Sequence, residues 1–350
     1  MYTPSVPALL MVLLLLLRPS AAWAQDASAI AGDTAIAGDT GAQAARSITE
    51  TAAARDSCPT TDRSTVSDHD DPHPAPVPFA GYDPARSQWQ WGRVAIVGGL
   101  LGATVTGIHI YQRNAWWSGD RQPFHFQDDW DYALNVDKAG HFYGGALGAF
   151  LGRKSLEWSG ASRSAALWGG SLMGALFELY IELEDGYARD WGFSPGDAYA
   201  DVLGAGWPLL QEYVPGLEHL HPKFSYWPSK ALREGKHDGN MIDDYEGQTF
   251  WMGIHVHGLL PRSLRPYWPE WLGLAVGLSV RNMPLKVDGR VIYGNPLDRN
   301  IIIALDYDMT KIIPGDSWLL TALKEALNFI HFPAPAIRIA PNFIAYGLYF

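Results

Sequence analysis

Gly140, Gly144, Gly148 and Gly152 stand four residues apart inside a segment otherwise patterned as a helix. That spacing places all four on one helical face, at a propensity cost of about 1 kcal/mol each relative to alanine. Such a face is useful when a second backbone must pass very close to it. Gly170 and Gly174 in the next apolar run could supply the facing groove. The spacing therefore predicts closely paired helices, in lipid or in a compact core. It does not read as a phosphate-cradling loop.

Polar residues recur on this frame at helical spacing, in segments otherwise poor in charge. The glycine segment opens Asp137-Lys138-Ala139-Gly140-His141, with Asp137 read as an N-cap. The following run, residues 165–183, has about the length of a membrane span, yet carries Glu178 and Glu182, with Asp185 next on the same stripe. Carboxylates on an apolar helix are expensive in hydrocarbon, so they should face a polar cavity or a partner. In water the same stripe would simply be the wet face. Ser194-Pro195-Gly196-Asp197 reads as a capping box with proline at the first helical position. Asp197 then has an ordinary structural role, accepting from the Ser194 N–H or offsetting the helix dipole. Asp201, one turn later and followed by Gly204, has no capping role and is the more informative acid.

Bulk properties narrow the function classes. A net charge of −11 and a pI near 5.4 argue against nucleic-acid binding, which needs a cationic surface. The single cysteine, Cys58, excludes an intramolecular disulfide and a multi-cysteine zinc site. Only 18% of residues are charged, against 36 glycines and 15 tryptophans, which suits close helix packing or a membrane. Residues 8–17 form an apolar run too short to span a bilayer, followed by Ala22-Trp23-Ala24, a small-x-small cleavage pattern. Residues 1–24 are thus expected to be a secretory signal peptide, although no Lys or Arg precedes the apolar run. No cysteine follows that cleavage point, so lipid attachment there is not expected. Residues 25–80 repeat Ala-Ile-Ala-Gly-Asp-Thr and are otherwise rich in Ala, Ser, Thr, Asp and Pro, the composition of a disordered tether. Its Asp68-His69-Asp70-Asp71-Pro72-His73 run reads as solvated acid rather than a metal site.

Tyr82, Trp89 and Trp91 introduce an apolar run over residues 94–111, either a membrane helix with interfacial aromatics or a buried core helix. Past Pro215 the chain becomes loop-rich, and strand-like runs follow at residues 249–259, 271–281, 300–309 and 336–350. His255 and His257 would share one strand face, more simply a polar sheet face than a metal pair. Residues 317–329 read as an amphipathic helix with Leu319, Leu320, Leu323, Ala326, Leu327 and Ile330 on one side. The closing Tyr346-Gly347-Leu348-Tyr349-Phe350 resembles the last strand of an outer-membrane barrel, but about four strands fall short of the roughly eight a membrane barrel needs. The expected fold is α+β. A glycine-rich bundle of about four helices occupies residues 81–220, followed by a loop-rich connector (221–248) and a small antiparallel β-rich region (249–350) with one amphipathic helix.

Taken together, Asp137-Lys138-x-x-His141, Glu182-x-x-Asp185-Gly186 and Trp191-Gly192-Phe193-Ser194-x-x-Asp197-x-x-x-Asp201-x-x-Gly204 resemble the YfiM-type family of predicted periplasmic lipoproteins, a domain of unknown function. More distantly their order is similar to VanZ-like membrane proteins, associated with glycopeptide resistance. The likeness continues through Lys223-Phe224-Ser225-Tyr226 and Glu246-Gly247-Gln248-Thr249-Phe250-Trp251, and covers roughly residue 82 to the C-terminus. Two departures stand out: Asp201 replaces a commoner Asn, and the lipoprotein cysteine is absent. The resemblance implies an envelope location, at the inner or outer membrane, and no settled activity.

Two functions follow from the residues. One is a structural or ligand-binding role for a buried His/carboxylate cluster, in an exported protein associated with membrane or envelope lipid, with room for an envelope protein partner. The other is an enzyme acting on an envelope lipid or lipid-linked glycan. There His141, oriented by Asp137 or Asp201, would be the acid or base, with Glu182, Asp185 and Asp197 beside it. Asp137, Lys138 and Ser194 would bind the ligand in either case. No cofactor is indicated and no metal is assigned, although one His among carboxylates would favour Mg²⁺, Mn²⁺ or Ca²⁺ over zinc. Motifs for a serine nucleophile, a zinc protease or a P-loop do not occur.

Overall fold

In a computed structural model, which describes residues 87–350 apart from 238–239, 288–289 and 293–294, the glycine-spaced segment forms a helix preceded by a left-handed turn. The expected signal peptide, the tether with Cys58 and its Asp/His run, and Tyr82 lie outside the described residues. The fold is α+β, as the sequence predicts. Label α1 is given to Trp91–Asn114, α2 to Val136–Trp158, α3 to Arg163–Asp185, α4 to Pro195–Ala205 and α5 to Trp207–Tyr213.

Helix α2 starts from three consecutive non-glycine residues with positive φ, Ala133 (47°), Leu134 (53°) and Asn135 (69°). Each such residue costs about 1 kcal/mol or more, so neighbours must hold the turn. Arg299 does so from the sheet, donating to the Leu134 carbonyl (3.1 Å) and to Asn135 Oδ1 (2.7 Å). Ala133 and Val136 are buried against Leu278 and Val280. This anchored turn directs Asp137 and Lys138 inward from the first turn of α2.

The glycines divide between two tasks. A Cβ on Gly148 would meet Gly174 Cα at 3.2 Å, and one on Gly152 would meet Gly170 Cα at 3.0 Å, so α3 passes backbone to backbone over the second half of α2. Gly140 and Gly144 do not join that groove. Gly140 lies under the Phe250 ring, and Gly144 lies under the Glu178 carboxylate. The spacing could not separate these tasks, because a helical face shows which residues align but not what lies opposite. On a neighbouring face, a Cβ on Gly145 would overlap the Asp201 carbonyl of α4, and one on Gly204 of α4 would overlap the Phe142 carbonyl. Three helices thus converge on the segment around residue 145.

Helix α1 is different. None of its apolar window is buried, although its mean hydropathy is 1.7, and Trp91, Ile96, Leu100 and Ile110 are exposed. Its 24 residues extend about 36 Å at 1.5 Å per residue, against about 30 Å for a bilayer hydrocarbon core. Of the two readings left open by the sequence, a buried core helix does not describe α1.

The sheet contains strands β1 (Leu220–Tyr226), β2 (Gln248–Ile254), β3 (Leu272–Arg281), β6 (Asp298–Tyr307), β7 (Ala334–Ala340) and β8 (Ile344–Tyr349), neighbouring in that order and all antiparallel. A separate hairpin joins β4 (Leu285–Val287) to β5 (Arg290–Ile292). β1 falls where the sequence suggests a connector, because Pro222 and Lys223 interrupt its apolar pattern. Proline is tolerated on such an edge strand, and Lys223 is buried with its Nζ 2.8 Å from Asp306. The 336–350 run is two strands folded about Pro341-Asn342. β2 stops at Ile254, so His255 and His257 do not share a strand face. His257 lies in a helical turn (Val256–Leu259), and the two rings spend nitrogens on the Glu270 and Trp268 carbonyls.

The sheet curls until β1 meets the segment before β7. Phe224 N–H donates to the Phe329 carbonyl and His331 N–H to the Phe224 carbonyl, both at 2.9 Å. The inner face carries small and polar residues: Ser279, Asn300 and Arg338 form a buried hydrogen-bonded chain, and His331 stacks on Trp251 at 3.9 Å. On the outer face Ile337, Ile339, Leu348 and Phe350 are exposed. Helix α6 (Trp318–Leu327), capped by Ser317, also leaves Leu319 and Leu323 of its apolar side exposed. The inner face also holds the apolar cluster Trp251, Ala275, Ile302, Ala304 and Ala336. The outer face buries Leu278 and Val280 against the turn before α2, so the apolar exposure lies at the β7–β8 end of the outer face.

Candidate functional site

The first two turns of α2 contribute Asp137, Lys138 and His141, the last turns of α3 contribute Glu178, Glu182 and Asp185, and α4 contributes Asp197 and Asp201. They meet because close glycine contacts bring the three backbones together. Around the imidazole, Nδ1 lies 3.0 Å from Asp201 Oδ1 and 3.8 Å from Glu182 Oε1. Nε2 lies 3.6 Å from Asp197 Oδ1 and 3.9 Å from Asp137 Oδ1. Asp201 rather than Asp137 is thus the hydrogen-bonding partner of the ring. Asp201 is completely buried, and its Oδ2 accepts no hydrogen bond from the described residues.

Lys138 occupies the adjoining position. Its ammonium lies 2.7 Å from Asp197, 2.8 Å from Asp129 and 2.9 Å from Asp137. The capping-box expectation for Asp197 is therefore half right. Ser194 Oγ caps α4 by accepting from the Asp197 N–H at 3.1 Å, but the Ser194 N–H donates to Glu182 Oε2, also at 3.1 Å. The Asp197 carboxylate turns away to Lys138. Ser194 Oγ also donates to Asp129 Oδ1 at 2.5 Å, which ties α4 to the loop before α2.

Asp185 is set apart from the imidazole. It lines the same cavity, but its Oδ1 accepts from Trp117 Nε1 at 2.5 Å. Two further residues belong to the cluster. Asp129 completes the Lys138 cage, and Tyr245, from the turn before β2, donates to Asp137 Oδ1 at 2.6 Å. Asp129 sits among adjacent acids in a loop, without periodicity to mark it. Tyr245 lies 108 residues from its partner in sequence, and nothing local signals the contact. Glu178, visible on the α3 stripe, also lines the cavity.

Asp129, Asp137, His141, Glu178, Glu182, Asp185, Asp197 and Tyr245 form one wall of a cavity of about 770 Å³. Lys138 and Ser194, expected to bind ligand, and Asp201 lie behind that wall. The remaining lining is largely apolar: Leu147 from α2, Phe177 and Ile181 from α3, Phe224 and Phe250 from the sheet. Helix α1 contributes Ile108, Tyr111 and Gln112 near its C-terminal end. A volume of this size suits a ligand of drug size or the head and first carbons of an amphiphile.

Burial and charge set the protonation states. Burial opposes a charged imidazole, but the Asp201 hydrogen bond and the charges of Asp201, Asp137 and Asp197 outweigh it and hold His141 well above the usual range. Burial opposes ionised Asp137 as well, yet His141, Lys138 and the Tyr245 hydroxyl keep it below the ordinary carboxylate value. Glu182 goes the other way: burial pushes it up to about 9, with His141 pulling down and Asp197 and Asp201 adding to the rise. Burial likewise lifts Glu178 and Asp197 to about 7 and Asp185 to about 6. The wall at neutral pH offers a protonated acid, a charged imidazole and ionised carboxylates side by side, as proton transfer requires.

A stability prediction follows from Glu182. Its folded pKa lies above its unfolded value, so the folded state keeps a proton that the unfolded chain releases, and stability falls as pH rises from about 4.5 to about 9. Glu182→Gln keeps an acceptor for the Ser194 N–H and removes that ionisation. In metal-free buffer it should raise Tm at pH 8.5 by about 3 °C or more, with a smaller difference at pH 5. A thermal scan showing the same change at both pH values would contradict a buried neutral Glu182.

The sequence model of a family described as Predicted periplasmic lipoprotein (DUF2279) matches residues 125–212, the segment that carries this cluster. That description agrees with an exported, periplasmic and membrane-associated protein. It supports the broader part of the resemblance drawn from the motifs, a periplasmic lipoprotein family of unknown function, and neither the YfiM-type nor the VanZ-like assignment in particular. No curated protein and no solved structure matches the chain.

Proposed function

We propose that this exported envelope protein holds an amphipathic envelope molecule in the α2–α3–α4 cavity, its head group against His141 and the carboxylates and its apolar part against Leu147, Phe177 and Phe250. The observation that carries this reading is a cavity of about 770 Å³ with one wall of buried acid and imidazole and the rest mostly apolar, though Asp243, Asp244 and Glu246 also line it. A purely structural polar core would be filled rather than hollow. Membrane association supports it further: α1 is of spanning length and unburied, and its C-terminal end contributes to the cavity wall. The exposed apolar exterior of β7 and β8 adds surface suited to lipid. The excess of carboxylates selects a head group bearing hydroxyls or an amine over a bare phosphate.

Leu147 faces the cavity and is half-buried, so Leu147→Trp should fill the space without touching the acidic wall. Native mass spectrometry of the full chain extracted in mild detergent and treated with EDTA should show a retained amphiphile in the wild type and its loss in this variant. Equal occupancy of both, or none in the wild type, would defeat the binding reading.

A second reading is acid–base catalysis on such a molecule, an envelope lipid or lipid-linked glycan. Its support is the Asp201–His141 pair, in which Asp201 binds Nδ1 and Nε2 is turned toward Asp197 and Asp137. Asp201 would fix the ring, and Nε2 would take up or deliver the proton. A retained amphiphile chemically altered in wild-type cells but unaltered in His141→Gln cells would favour this reading over binding alone.

A further inference from the structure

We propose that His141 Nδ1, Glu182 and Asp201 form a site for one divalent cation, with His141 and Glu182 on the cavity wall and Asp201 buried behind them, which deepens the binding reading above and rests on it. Two acid groups flank the imidazole, and only one has its cation. On the Nε2 side, Asp137 and Asp197 share the Lys138 ammonium, which occupies the place a metal would take. On the Nδ1 side, Glu182 (2% exposed) and Asp201 (0%) have no cationic neighbour but His141 among the described residues. Asp201 Oδ2 is buried there without a hydrogen-bond partner among the described residues. A carboxylate oxygen at that depth is costly unless something compensates it.

The geometry fits. One donor atom from each of the three residues lies within 4.8 Å of the others. Neighbouring ligands of an octahedral cation bound at about 2.1 Å lie roughly 3.0 Å apart, and the Nδ1 to Asp201 Oδ1 separation is 3.0 Å. Glu182 Oε1, at 3.8 Å from Nδ1, needs only a side-chain adjustment. With the metal on Nδ1, Nε2 lies 3.6 Å from Asp197 and 3.9 Å from Asp137, so a small side-chain adjustment would complete the carboxylate–histidine–metal triad that orients a bound imidazole. Glu178, one turn from Glu182, lines the same cavity. One imidazole with carboxylates suits a cation of the Mn²⁺ type, and the open cavity side leaves coordination positions for hydroxyls of the bound head group.

The test is Mn²⁺ binding to the full chain in detergent, read from loss of the free-ion electron paramagnetic resonance signal. One Mn²⁺ per chain is expected at micromolar concentration, weakened at least tenfold by Asp201→Asn and by Glu182→Gln. Circular dichroism keeps the test valid if one variant fails to fold, since the other then decides it. His69→Ala with His73→Ala should leave binding unchanged. Absence of Mn²⁺ binding below millimolar concentration, wild-type binding in both site variants, or loss of binding in the His69/His73 variant would each overturn the proposal. Amphiphile retention is measured in EDTA, so retention without Mn²⁺ binding would sink this inference alone, while Mn²⁺ binding without retention would sink the amphiphile reading.

Discussion

Gly204→Ala is expected to abolish folding, although it adds only a methyl group. The new Cβ would overlap the backbone carbonyl of Phe142 in α2, and backbone atoms in a close-packed helix pair have nowhere to move. Overpacking usually costs 1–3 kcal/mol, but a clash with main chain on both sides belongs to the tail at about 4 kcal/mol or more. That is a large share of the stability of an ordinary domain. Gly170→Ala, whose Cβ would strike the Arg153 amide, should behave the same way. Gly98→Ala in α1 supplies the contrast, because nothing lies within 4 Å of its added Cβ. Alanine there should be neutral or stabilise the helix by about 1 kcal/mol. Envelope abundance and denaturant midpoints of the three variants check this. Folded Gly204→Ala protein at wild-type stability would mean that α2 and α4 are not in backbone contact.

Lys138→Met carries the second large effect. Its ammonium is the charge shared by Asp129, Asp137 and Asp197, and methionine preserves the length of the side chain while removing that charge. Removing one partner of a buried ion pair costs about 3–5 kcal/mol, because the charges left behind stay desolvated. Burial would lower the Lys138 pKa, but Asp137 and Asp197 raise it above the ordinary lysine value. Its stabilising contribution is therefore complete below about pH 10.4, and is lost as pH climbs through the raised folded value. The variant should accordingly be less stable across the neutral range and show less further loss at high pH. Adding Asp197→Asn to it should recover part of the loss, since one of the stranded carboxylates is then gone. An unchanged denaturation midpoint in Lys138→Met would contradict the cage.

Much of the site could be read from the chain because helices impose a period. The Glu178, Glu182 and Asp185 stripe, the Ser194 cap and the isolated Asp201 all stand at spacings that only a helix makes meaningful. What could not be read lies across space. Tyr245 reaches Asp137 from another part of the chain, and Asp129 comes from an aperiodic loop. For Asp197 the sequence suggests the Ser194 N–H or the helix dipole, whereas Lys138, on another helix, holds its carboxylate at 2.7 Å in a charge-assisted contact stronger than a backbone N–H offers. The same limit applies to the sheet. β1 hides behind Pro222 and Lys223, whose places make sense only once the edge strand and Asp306 are present. Both faces of the sheet have the alternation of an ordinary strand, and sequence cannot tell which face meets water.

Photocrosslinking from inside the cavity tests the central claim most directly. Phe177 lines the cavity, and Tyr267 is 84% exposed on the surface. A para-azidophenylalanine at each position, irradiated in intact cells, would mark what each side chain touches. The account predicts that the protein labelled at position 177 gains the mass of one defined amphiphile, identified by mass spectrometry after purification, and that position 267 gains none. No adduct at position 177, or the same mixture of lipids at both positions, would leave the His141 cluster as a buried structural core with no ligand to hold.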